Sequence, residues 1–180
     1  AILFYGQNPN LNYNKFKQLK EEMSTPNVYR TAGGAPGHAY YQNEADYIME
    51  ITLNDQEQKI TGSETITYHN NSQDQLEYLW LQLDQNKRAQ NSDSYKIQTG
   101  GIRSLNTRSI NDMNPEFEGG FNITAVTKKN GSPQSYTINK TMMRINLSKP
   151  LQPGSSFSFN VNWWYNINNR MEIGGRSGYE

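Results

Sequence analysis

The chain has 180 residues, with 17 Lys and Arg against 17 Asp and Glu, and no cysteine. Balanced charge gives no general pull toward nucleic acid or an anionic membrane surface. The lack of cysteine excludes disulfides and thiolate metal sites, and no apolar run is long enough to cross a bilayer as a helix.

Residues 1–5 form a short apolar stretch. It reads either as the tail of a signal peptide's apolar segment or as an ordinary start to an arm. The spacing of Phe16, Leu19 and Met23, with Lys15, Lys17, Lys20 and Glu21 around them, predicts a short amphipathic helix over 10–23, capped by Asn12 or Asn14. Residues 24–42 are a connector punctuated by Pro26, Gly33-Gly34 and Pro36-Gly37. The expected layout is an arm over 1–40 and a β domain over 41–180.

The organising stretch is 47–83. In its first segment Tyr47, Met49, Ile51 and Leu53 alternate with polar residues, which predicts a strand with one buried face. In the second, Ile60, Gly62, Ile66 and Tyr68 share a face opposite Thr61, Ser63, Thr65, Thr67 and His69. The third is apolar on both sides, with Leu76, Tyr78 and Trp80 against Leu79, Leu81 and Leu83, which predicts a central strand covered twice. The three together predict a meander under a second layer.

Residues 84–120 break this rhythm, with short strands expected near 95–98 and 102–105. A stretch of this kind is either a binding loop or a tolerated insertion. Alternation returns at Phe121, Ile123 and Ala125, and Asn130-Gly131 signals a tight turn. Met143, Ile145 and Leu147 mark another strand, and Pro153-Gly154 a further turn. Phe157, Phe159, Val161, Trp163 and Tyr165 give the cleanest alternation of all, broken only by an outward Trp164. Seven to nine strands with little helix predict an all-β antiparallel sandwich with a short amino-terminal helix. Aromatics at 12%, including 12 Tyr, suit such a core.

Little here carries chemistry. His38 and His69, with Glu44 or Asp46, could supply a metal's imidazole and carboxylate ligands, but their spacing matches no known pattern, and a solvated turn explains His69 as well. The carboxylate pairs Glu21-Glu22 and Glu116/Glu118 fall on a helix surface and a loop. Asn70, Asn122, Asn139 and Asn146 each begin N-x-[ST], several of them on expected strands. Trp80, Trp163 and Trp164 could form an aromatic platform for sugar, with core packing the alternative for Trp80 and Trp163. An outward Trp164 suggests a covered surface there. The sequence contains no H-E-x-x-H, no G-x-S-x-G and no phosphate-binding glycine loop.

The segment EADYIMEITLNDQEQKITGSETITYHNNS, then LEYLWLQLDQN, SFSFNVNWWYNI and GGRSGYE, resembles the amino-terminal domain of the zinc aminopeptidase family that includes aminopeptidase N and leukotriene hydrolase. Bacterial members resemble it most. Gly62, Thr65, Ile66 and Tyr68 match a G-x-x-T-I-x-Y strand, Leu81 and Leu83 the L-x-L strand, and residues 176–179 the turn before the chain runs toward the active site. The family's zinc motif and its G-x-M-E-N motif are absent, and the segment supplying an amine anchor would follow residue 180. No catalytic, metal-binding or cofactor-binding residue therefore transfers to this chain.

The resemblance implies a non-catalytic sandwich domain of a longer zinc metallopeptidase. Its partners would be the catalytic domain of the same chain and, for the parent, a peptide substrate, with zinc bound elsewhere in the parent. Export to the periplasm or cell envelope is expected. The alternative is a stand-alone carbohydrate- or protein-binding sandwich of a bacterial surface protein. The first reading expects an uncovered apolar patch near Trp164 and the tail.

Overall fold

A computed structural model describes residues 26–93, 116–171 and 178–179. The chain falls into two units, residues 1–41 and 42–180. The helix expected over 10–23 and the strands expected at 95–98 and 102–105 lie outside the described residues.

In the first unit, residues 26–41 fold into a small looped turn. The Asn27 side chain accepts hydrogen bonds from the backbone N–H groups of Tyr29 and Arg30, as Asn does where it starts a turn. Gly37 runs hard against the Val28 carbonyl, where a Cβ would sit 2.3 Å from the oxygen.

The second unit is an antiparallel sandwich of seven strands among the described residues: β1 (Glu44–Asn54), β2 (Lys59–His69), β3 (Leu76–Gln82), β4 (Asn122–Lys128), β5 (Tyr136–Asn139), β6 (Met142–Leu151) and β7 (Ser156–Asn166). One sheet has the order β1-β2-β7-β4 and the other β3-β6-β5. The alternation that marks each strand also fills the core. Ile66, Val126, Phe159 and Val161 from the first sheet meet Leu79, Met143 and Ile145 from the second, joined by Leu83 just past β3.

The turns follow their residues. Asn54 accepts from the N–H groups of Gln56 and Glu57 to start the β1–β2 reversal. Gly131 takes φ +81° in the expected Asn-Gly turn, and Gly154 takes φ +70° after Pro153. Between β2 and β3, Asn70 is fully buried and saturates the bend. Its amide donates to the carbonyls of Asp74 and Leu151, and its oxygen accepts from the Ser72 N–H and hydroxyl. This burial removes Asn70 as a glycan acceptor. Asn70→Ala should lower stability by about 2–3 kcal/mol, because the groups it serves would be left unpaired. Urea unfolding measures the loss.

Three expectations change. β3 is not the third strand of a meander; it crosses to the second sheet and lies at its edge. A strand apolar on both faces is not covered twice here, for Leu79 is buried while Tyr78 and Trp80 stand exposed, Trp80 at 51%. The expectation of core packing for Trp80 fails with it. β1 differs most. It pairs with β2 over its whole length, yet Tyr47, Met49, Ile51 and Leu53 are 52%, 49%, 57% and 62% exposed. The first sheet is one strand wider than the second, and β1 contributes nothing to the shared core.

Candidate functional site

Directly opposed residues of neighbouring strands share a face, so the register of β1, β2 and β7 builds rows across the inner side of the first sheet. They run Tyr47–Ile66–Phe159, Met49–Glu64–Val161, Ile51–Gly62–Trp163 and Leu53–Ile60–Tyr165. At the β7 side the first two rows end in the buried core. At the β1 side all four end in apolar side chains open to water. Covering a side chain of this kind contributes about 1.5–3 kcal/mol, so the overhang leaves apolar area that burial would stabilise.

Beside it lies a cleft between the sheets, of about 310 Å³. Its walls include Tyr47, Glu64, Trp80, Phe121, Ile123 and Trp163. Gly62 shapes it: a Cβ there would lie 2.3 Å from the Trp163 ring, so only glycine lets the indole settle across β2. The ring is then held by stacking on Tyr165 at 5.7 Å and by an edge-to-face contact with Phe121 at 5.2 Å.

Glu64 is the carboxylate in this apolar setting. Partial burial pushes its pKa above the ordinary 4.5, and a hydrogen bond from the Trp163 side chain opposes that rise. The folded chain therefore holds this proton at pH values where the unfolded chain has released it. Its contribution to stability is fully present below the ordinary value and falls as pH rises through the interval above it. Glu64→Gln should raise the thermal midpoint by a few degrees near pH 7 and leave it unchanged near pH 4, as calorimetry across that range would show.

The opposite face of the sheet is polar. Ser63 pairs with Asn162, Thr65 with Asn160 and Thr67 with Ser158. The next rung is Ser156–His69, with the hydroxyl 2.7 Å from Nδ1, and Asp46 reaches diagonally from β1 to place its carboxylate 2.9 Å from Nε2. This rung lies on an open strand surface and continues the ladder that ties β1, β2 and β7 together, so its part is structural. His69 and Asp46 do meet, but among the described residues no three His, Cys, Asp or Glu side chains gather to hold a metal. The chain's described residues thus gather no ligand set that fits a zinc site.

Glu116 and Glu118 lie exposed on a loop, and Glu21-Glu22 lies outside the described residues. The three tryptophans make no common platform. Trp163 faces inward, Trp164 is half-buried beneath the Lys59 ammonium at 4.1 Å, and Trp80 stands beside Tyr78 on the edge strand of the other sheet. The uncovered patch is accordingly on β1, where the sequence pattern pointed to Trp164.

No protein-family model and no curated protein sequence matches the chain. Among solved structures it is similar to an M1 zinc metallopeptidase from Deinococcus radiodurans, seen as a mutant bound to a Tyr-Ser-Ala substrate. The TM-score is 0.44 at 14% identity, over 74% of this chain and 23% of that one. A two-domain M1 zinc metallopeptidase mutant bound to L-tryptophan gives 0.43 at 13% identity, over 74% and 23%. Another bound to L-arginine gives 0.42 at 15%, over 69% and 21%. The chain thus spans less than a quarter of the length of these solved chains. Among the described residues no helix is long and apolar enough to cross a membrane.

Proposed function

We propose that the chain is the non-catalytic amino-terminal β-sandwich domain of a zinc-dependent aminopeptidase-like metallopeptidase. It packs on the catalytic domain and helps shape the substrate cleft. The observation that carries this reading is the open β1 face, a contiguous apolar overhang on a sheet that already has its core. The order of the strand signatures from Tyr47 to Tyr179 supports it independently. In the parent, zinc would polarise the scissile carbonyl and activate a water, with every ligand supplied from outside these 180 residues. The division near residue 41 and export to the periplasm or cell envelope belong to the same proposal, the latter on the apolar stretch 1–5.

The test is hydrolysis of an aminoacyl reporter with zinc supplied. The full-length parent should turn over and lose activity to a chelator, while the 180-residue chain should be inert. A parent without zinc-dependent turnover, or an active 180-residue chain, would overturn the reading.

The exposed edge-to-face pair Tyr78–Trp80, with the Arg144 guanidinium 4.2 Å over the Tyr78 ring, favours a second reading. In it the domain is a stand-alone binder of carbohydrate or protein on a bacterial surface. Glycan-array binding that Trp80→Ala abolishes would select it, and an empty array would remove its carbohydrate form.

A further inference from the structure

We propose that the cleft between the two sheets is a binding site for a small organic ammonium ion with an apolar body, its charge against Glu64 and its carbon skeleton against Trp163, Phe121 and Tyr47. The inference does not rest on the metallopeptidase reading, because it uses only groups inside this sandwich.

The wall chemistry selects the ligand class. Among the described residues lining the cleft, Glu64 is the single charged one, and none is Lys, Arg or His. Among the described residues Glu64 forms no ion pair, and its partner is the Trp163 side chain. A carboxylate partly withdrawn from water without a cation is costly, and a cation brought to it offsets that cost. An anion would meet the same carboxylate with nothing to balance it. A metal ion would find one strong ligand where three or more are needed.

The aromatic walls sharpen the choice. Organic cations are attracted to the faces of Trp, Tyr and Phe rings, the more strongly the drier the contact. Trp163 is already fixed by Tyr165, Phe121 and the gap left at Gly62, so a ligand would spend little on ordering it. A volume of about 310 Å³ is at the small end of ligand sites. That admits one ring or a short chain beside the charged group, and excludes a folded peptide.

The test is titration of the full-length protein, and of the 180-residue chain in parallel, with three probes of matched shape: 2-phenylethylammonium, 2-phenylethanol and 3-phenylpropionate. The readouts are calorimetry and the Trp163 indole N–H resonance, assigned by its loss in Trp163→Phe. The ammonium should bind and move that resonance, the alcohol should bind at least tenfold more weakly, and the carboxylate should not bind. Glu64→Gln should weaken ammonium binding at least tenfold while leaving the circular dichroism spectrum unchanged. Equal affinity for the ammonium and the alcohol, no binding at tens of millimolar, or an unaffected Glu64→Gln variant would each overturn the proposal. Binding by the 180-residue chain but not by the full-length protein would also overturn it, since the cleft would then be filled by the parent's own residues.

Discussion

Phe159→Ala should lower the stability of the domain by about 3–5 kcal/mol, the usual range for removing a fully buried aromatic side chain. Phe159 is 0% exposed, in the middle of β7, stacked on Phe157 at 5.7 Å. Its strand is central: β7 pairs with β2 on one side and β4 on the other, so a void there loosens both. Domains are commonly stable by only 5–15 kcal/mol, so this substitution removes a large share of the margin. Urea unfolding followed by tryptophan fluorescence measures it. A loss under 1 kcal/mol would mean that the two sheets do not share the core described.

The second large effect concerns association rather than folding. Ile51→Lys with Leu53→Lys changes two exposed positions on an edge strand. The 180-residue chain should therefore keep its stability to within about 1 kcal/mol, as surface changes usually do. Docking on the rest of the parent should weaken at least a hundredfold, because two apolar side chains worth about 1.5–3 kcal/mol each on burial are replaced by charges that resist it. Ile48→Lys is the matched control. Ile48 is 73% exposed on the opposite face of the same strand and should leave docking intact. Binding of the 180-residue chain to the separately produced remainder of the parent reads all three variants. Equal effects from the two faces would show that strand stability, not an interface, was being measured.

Much of the sandwich was legible because alternation is a local property. Phe157 to Tyr165 on β7 and Met143 to Leu147 on β6 could satisfy their apolar sides only as strands facing a core. Asn130-Gly131 and Pro153-Gly154 could hardly be other than turns. The assignment of β3 to a sheet was not legible. A period of two tells which side chains share a face but not which strand lies alongside, and Asn70 redirects the chain by burying its side chain in a bend. The Tyr78 and Trp80 side of β3 misled for a related reason, since an apolar side chain marks a surface that can be covered, not one that this chain covers.

The same ambiguity hid the β1 face. Met49, Ile51 and Leu53 alternate just as core residues do, because an apolar strand face has the same period whether it is open or covered. The cleft did leave a signal. Glu64 breaks the row formed by Ile60, Gly62, Ile66 and Tyr68, and a lone carboxylate on the buried side of a strand is worth explaining wherever it occurs. The role of Gly62 needed the partner strand, for only the register shows that Trp163 lies across it.

The most direct test of the central claim, that β1 presents a face which the rest of the parent covers, is hydroxyl-radical footprinting of Met49, with fully buried Met143 as the internal reference. Met49 should oxidise readily in the 180-residue chain and be strongly protected in the full-length protein, while Met143 stays protected in both. Equal oxidation of Met49 in the two proteins would contradict the account.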